Sequence, residues 1–192
     1  MKKIGIIGGG AMGSGIAQVF AQAGHPVVLF DTNQEALDRS KQNLAKTFDK
    51  LVAKQKYTAE QAQEIQHKIE YADSLSAFAN IDLMIEAIIE NLDIKKSVFK
   101  QVEEIVSDEC ILASNTSSLS IASIASACSK PERVIGIHFF NPAPLMALVE
   151  IIPAVQTKEG LAEEVKTLIQ SVGKLPVITK DTPGFIVNRV AR

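Results

Sequence analysis

With 192 residues the chain has room for one domain, or for one domain and a small appendage. Its 46% apolar content can bury a sizeable core, and 20 basic against 22 acidic residues leave a net charge of -2, so no overall basic field exists to attract nucleic acid. Trp is absent and only 5% of residues are aromatic, which removes the stacking platforms that single strands need.

Two cysteines, Cys110 and Cys128, are too few for a disulfide framework and form no CxxC pair, so no metal is expected. The apolar start at residues 4–7 breaks into three glycines too soon for a signal peptide. No apolar run is long enough to cross a bilayer. The expectation is a cytoplasmic protein without membrane or nucleic-acid partners.

Short apolar runs alternate with longer helical patterns, as in strand-helix-strand units around a parallel sheet. Residues 3–8 read as a buried strand, 11–23 as a helix closed by Gly24, and 26–31 as a second strand. The helical pattern over 33–68 is long for a crossover and reads as an insertion of two helices broken near Tyr57-Thr58, where Thr58 and Gln61 can form a capping box. Strands are expected at 69–72, 81–87, 110–113 and 134–139, with a helix at 92–106. Beyond Pro144 the pattern changes to two further strands, 148–152 and 175–179, flanking a helix at 158–172. The expected fold is a Rossmann-type doubly wound α/β sheet, mostly parallel, with added antiparallel strands at its C-terminal end.

Gly8-Gly9-Gly10-Ala11-Met12-Gly13 is a G-x-G-x-x-G motif set between the first strand and the first helix. The first glycine suits a tight turn, Gly10 a close approach by pyrophosphate, and Gly13 close helix-strand packing. The helix N-terminus, through Gly10, Ala11 and Met12, then offers free N–H groups to an anion. Asp31 ends the second strand, where a carboxylate accepts from ribose hydroxyls and repels a 2′-phosphate, so NAD is preferred over NADP. A simple helix cap is the alternative role for Asp31.

At this point the chain resembles the short-chain L-3-hydroxyacyl-CoA dehydrogenases, including the bacterial 3-hydroxybutyryl-CoA dehydrogenases. The resemblance rests on the glycine loop, Ile85-Glu-Ala-Ile-Ile-Glu-Asn91, Ala113-Ser-Asn-Thr-Ser-Ser-Leu119, Gly136-Ile-His-Phe-Phe-Asn-Pro142 and the stretch from Asp181 to Arg189. It implies an NAD-dependent oxidoreductase of fatty acid metabolism, acting at the β-oxidation step that carries hydride between NAD and the 3-carbon of an acyl-CoA.

Such a reaction needs a base whose pKa lies near working pH, which points to histidine. Of the three histidines, His25 sits in a turn and His67 on a polar helix, whereas His138 ends a strand at the carboxyl edge of the sheet. Glu150, in the returning strand, can hold the imidazole through its second nitrogen. The resemblance assigns the same pair, and adds Ser117 and Asn188 at the substrate's 3-oxygen. It further implies cofactor contacts from Glu90, Lys95, Ser117 and Asn141. A turn or cap role is the alternative for Ser117, and a solvated surface pair for Glu90 and Lys95.

Lys41, Lys46, Lys50, Lys54 and Lys56 crowd the long helix after the second strand. The resemblance implies that Thr47 and Lys54, a heptad apart on one helical face, contact CoA together with Lys95 and Ser117. A solvated lysine-rich face is the alternative. Family members continue into a helical domain that dimerises. The resemblance therefore implies residues 1–183 as the NAD-binding unit, 184–192 as the start of a helical domain that this chain lacks, and a homodimer in the longer protein. Two other readings remain open: a related hydroxy-acid dehydrogenase of the L-gulonate type, and a non-catalytic NAD-binding protein.

Overall fold

A computed structural model describes residues 1–187. Eight strands form one sheet in the order β3-β2-β1-β4-β5-β6-β7-β8. They are β1 (Ile4–Ile7), β2 (Val27–Phe30), β3 (Ile69–Ala72), β4 (Leu83–Glu86), β5 (Ile111–Ser114), β6 (Val134–Phe139), β7 (Leu148–Pro153) and β8 (Leu175–Ile178). The first six run parallel, β7 is antiparallel to β6, and β8 is parallel to β7, so both late strands oppose the rest. The expected mostly parallel sheet with antiparallel additions is therefore the observed one.

The continuous apolar runs follow from burial on both faces, since helices cover a parallel sheet on each side. Alternate residues of β1 enter different cores: Ile4 and Ile6 join one cluster with Ile16, Phe20 and Leu44, while Ile7 joins the other with Phe78, Met84 and Phe99. Helices α1 (Ala11–Gln22), α2 (Gln34–Ala53), α3 (Ala59–His67), α4 (Leu92–Glu103), α5 (Ile121–Ala125) and α6 (Leu161–Ser171) complete the layers.

The insertion divides as the sequence suggests. Asn33 caps α2 by accepting from the Glu35 N–H, and α3 opens with a capping box in which the Thr58 hydroxyl and the Gln61 side chain each take the other's backbone N–H. β3 and β6 match their expected bounds and β7 is one residue longer, while most other strands and helices are one to four residues shorter, because terminal residues lose their ladder or helical partners. Three elements were not anticipated: 3-10 turns at Leu75–Phe78 and Pro131–Arg133, and the five-residue α5. The latter is held from outside, since Asp181 accepts from the N–H groups of Ile121 and Ala122 and from the Ser120 hydroxyl.

Candidate active site

The β1–α1 turn is built around three backbone demands. Gly8 has φ 115, a left-handed conformation that side chains rarely adopt, and a Cβ there would also stand 2.5 Å from the Ala87 carbonyl oxygen. A Cβ on Gly13 would stand 1.8 Å from the Gly8 carbonyl oxygen, so α1 can approach β1 only with glycine there. Gly10 differs: a Cβ built on it meets no described heavy atom within 4 Å. Its side opens onto a cavity of about 810 Å³ lined by Gly8, Ala11, Met12 and Asp31.

No acidic residue occupies the first turn of α1, so its dipole and N–H groups are left for an incoming anion. Asp31 accepts from Gly9 N through one oxygen (2.7 Å) and from Asn33 N through the other (2.8 Å). Those two bonds aim the carboxylate along the loop at the cavity wall. The open flank at Gly10, the unopposed helix end and the carboxylate fit a dinucleotide.

At the carboxyl edge of the neighbouring strands lies the second group. The antiparallel register places His138 opposite Glu150, with Nδ1 2.8 Å from Oε2. The two side chains are 7% and 1% exposed, so the pair meets in the interior. Phe140 and Phe185 face the imidazole at ring-centroid distances of 4.4 and 5.9 Å. A bond from Phe139 N to the Asn115 side chain (2.8 Å) ties this strand end to the loop carrying Ser117.

Ser117 lies in that loop rather than at a helix start, and the N-cap of α5 is Ser120. Its N–H and hydroxyl both donate to Glu90 Oε1, at 2.9 and 3.3 Å. Thr116 donates to the same oxygen at 2.5 Å. Burial acts to raise the Glu90 carboxyl, but the Thr116 hydroxyl, the Lys95 charge and the Ser117 amide together hold it below its ordinary value.

Lys95 overturns the solvated-pair alternative. It is 1% exposed and points inward from α4, its ammonium 2.5 Å from Glu86 and 3.3 Å from Glu90. An ammonium so enclosed faces the two carboxylates rather than open solvent. Glu86 escaped the sequence reading altogether. It is fully buried at the end of β4 and also accepts from Ser114 (2.7 Å) and from Ile88 N (2.8 Å). The signal was present: an acid closes an otherwise apolar strand at the same edge as Asp31 does.

The remaining residues distribute unevenly. Thr47 and Asn141 line a cavity of about 560 Å³ between α1, α2 and the β6–β7 loop, on the other side of the glycine turn. Lys54 caps α2, exposed and outside that lining, whereas Arg39, not singled out from sequence, is part of it. Asn188 lies outside the described residues. Among the described residues, no three His, Cys, Asp or Glu side chains group closely enough to hold a metal ion, and no helix is long and apolar enough to cross a membrane.

Known proteins share this fold along the whole chain. The family described as "3-hydroxyacyl-CoA dehydrogenase, NAD binding domain" matches residues 3–182. The chain belongs to that family.

It is 44% identical over 188 residues to a 3-hydroxybutyryl-CoA dehydrogenase of Clostridioides difficile, covering 98% of this chain and 67% of that protein. The mitochondrial hydroxyacyl-coenzyme A dehydrogenase of Homo sapiens is 43% identical, with 99% of this chain and 62% of that protein covered. The crystal structure of 3-hydroxybutyryl-CoA dehydrogenase from Escherichia coli K12 superposes with a TM-score of 0.97 at 43% identity, over 100% of this chain and 40% of that one. This member of the family thus spans between two fifths and two thirds of those relatives.

Proposed function

We propose that the chain carries the dehydrogenase chemistry of a short-chain L-3-hydroxyacyl-CoA dehydrogenase, with His138 as general base and Glu150 as its orienting partner. The observation that carries this reading is the buried His138–Glu150 pair facing across the antiparallel strands β6 and β7, with β4 and β5 between it and the strand that leads into the glycine loop. Bound NAD supplies the hydride acceptor, and the hydride donor in the reverse direction.

Glu150 Oε2 accepts the Nδ1 proton, which fixes the tautomer and leaves Nε2 with its lone pair free to take the 3-hydroxyl proton. When the ketone is reduced, the same nitrogen returns that proton. The paired carboxylate offsets the positive charge that forms on the ring. Ser117, held to Glu90 through its backbone N–H, is the donor proposed for the 3-oxygen once its hydroxyl turns from Glu90 to the substrate, with Asn188 as a second. Lys95 acts behind Glu90, fixing it beside the nicotinamide ribose rather than touching substrate.

The cavity bordered by Thr47, Arg39 and Asn141 supports a CoA ester over a free hydroxy acid, since it gives a long thioester arm a path beside the dinucleotide. Residues 1–183 form the proposed NAD-binding unit, and 184–192 lead into a helical one through which a homodimer would form. Two free thiols, Cys110 and Cys128, support a reducing, cytoplasmic setting.

Following NADH oxidation with acetoacetyl-CoA tests the reading. Turnover is expected, and His138→Gln should lower kcat by about 100-fold or more while NADH still binds. A His138→Gln protein as fast as its parent refutes the assigned base. Equal rates with acetoacetate and its CoA ester refute the substrate class.

A further inference from the structure

We infer that the turn at residues 181–187 is a positioning device for the general base, with Gly184 and Phe185 as its working residues; the inference deepens the dehydrogenase reading and rests on it.

Glu150 is shared. Its Oε2 accepts from His138, while its Oε1 accepts from the backbone N–H of Ile186 (2.9 Å) and of Val187 (3.0 Å). The carboxylate therefore cannot rotate without breaking bonds on one side or the other. Those two amides reach it because the chain reverses just before them through two consecutive left-handed residues, Gly184 at φ 75 and Phe185 at φ 49. A phenylalanine in that region is strained, and it persists only where the surroundings over-determine it.

The surroundings do so in three ways. Upstream, the Asp181 carboxylate bonds Ile121 N, Ala122 N and the Ser120 hydroxyl at the start of α5. Within the turn, Phe185 N donates to Thr182 O at 2.9 Å. Finally, the Phe185 ring is 2% exposed and lies in the core beside the imidazole, at 5.9 Å and 57°. Glu150 is the charged group bonded to that imidazole, Phe140 and Phe185 are the rings that face it, and Asn115 fastens the adjoining backbone. One short segment thus supplies two hydrogen bonds to the partner of the base and one wall to the base itself.

A positioning role predicts a signature that general stabilisation does not. In the parent protein, nitrogen-15 NMR of the His138 ring should show the Nδ1–H tautomer in its neutral form. Gly184→Val disfavours the left-handed turn, so the Nε2–H tautomer should appear. The same variant should lose about 100-fold in kcat, the scale of a misplaced reacting group, with NADH binding unchanged. Gly184→Asn, which tolerates positive φ, should restore both readouts.

If Gly184→Val does not fold, Phe185→Leu applies the same test, because it keeps an apolar core residue and removes the ring from the imidazole. Either folded variant retaining the parent tautomer and kcat overturns the inference. A tautomer shift in a protein that never turned over acetoacetyl-CoA would uphold the positioning role and sink the dehydrogenase reading instead.

Discussion

A Cβ at Gly13 would stand 1.8 Å from the Gly8 carbonyl oxygen, whereas one at Gly10 would meet no described heavy atom within 4 Å. The motif writes both positions alike, yet they answer to different forces, one to packing and the other to a ligand. Gly13→Ala should therefore destabilise the fold by about 2–4 kcal/mol, since backbone must move to admit the methyl. Gly10→Ala should leave the melting temperature within about 2 °C but weaken NADH about tenfold, which is about 1.4 kcal/mol of binding. Thermal denaturation beside a fluorescence titration separates the two, and the reverse pattern would contradict these roles. Asp31 and His138 stand out in the sequence because each sets a chemically apt side chain at a strand end, and Glu150 because it is an acid in the strand that returns beside His138. Glu86 carried the same strand-end signal without a partner to explain it, and Thr116 carried none, because the importance of both lies in partners on other strands and loops, a matter of register that the string of residues does not display.

Among the elements, the parallel strands were easy to read because burial on both faces leaves an unbroken apolar run. The helix pair over the insertion was equally plain, since its break carries its own capping chemistry at Thr58 and Gln61. The five-residue α5 could not be found, because the acid that holds it, Asp181, arrives from a distant part of the chain. The loop between β5 and α5 depends on Glu90 in a comparable manner. Because the folded value of this carboxyl is lowered, the unfolded chain takes up its proton first as the pH falls. The stability that Glu90 contributes is thus complete above about pH 4.5 and is lost as the pH drops through the lower folded value. Denaturant unfolding of the parent and Glu90→Gln should show a gap near neutrality that closes in acid. A gap independent of pH would mean that the charge of Glu90 does not hold the loop.

Over the molecule as a whole, β1 stands near the middle of the sheet, and its turn into α1 has one cavity on each flank. The proposed dinucleotide and acyl-CoA sites are therefore neighbours across a single backbone loop, which brings their reactive ends toward the edge where His138 lies. Fold class and cofactor could be inferred early because they depend on this central unit. The CoA side was harder, since Lys54 follows a surface charge pattern while Arg39, the cation lining the cavity, sits among ordinary helix residues. Global opening can be followed through the thiols. Burial pushes both Cys110 and Cys128 up to about 12, so little thiolate exists at neutral pH. Iodoacetamide at pH 8 should label the native protein far more slowly than the denatured one. Equally rapid labelling of both would show that these two regions open readily.

Glu86 and Lys95 form an ion pair with almost no contact with water. Exchanging Lys95 alone for an apolar residue strands the Glu86 carboxylate inside the protein, at a cost of about 3–5 kcal/mol, whereas exchanging Glu86 alone leaves the ammonium with Glu90 as its remaining counter-charge. The dependence is thus one-sided: the acid needs the lysine more than the lysine needs the acid, and a fold that gives up the cation has to give up the buried carboxylate with it.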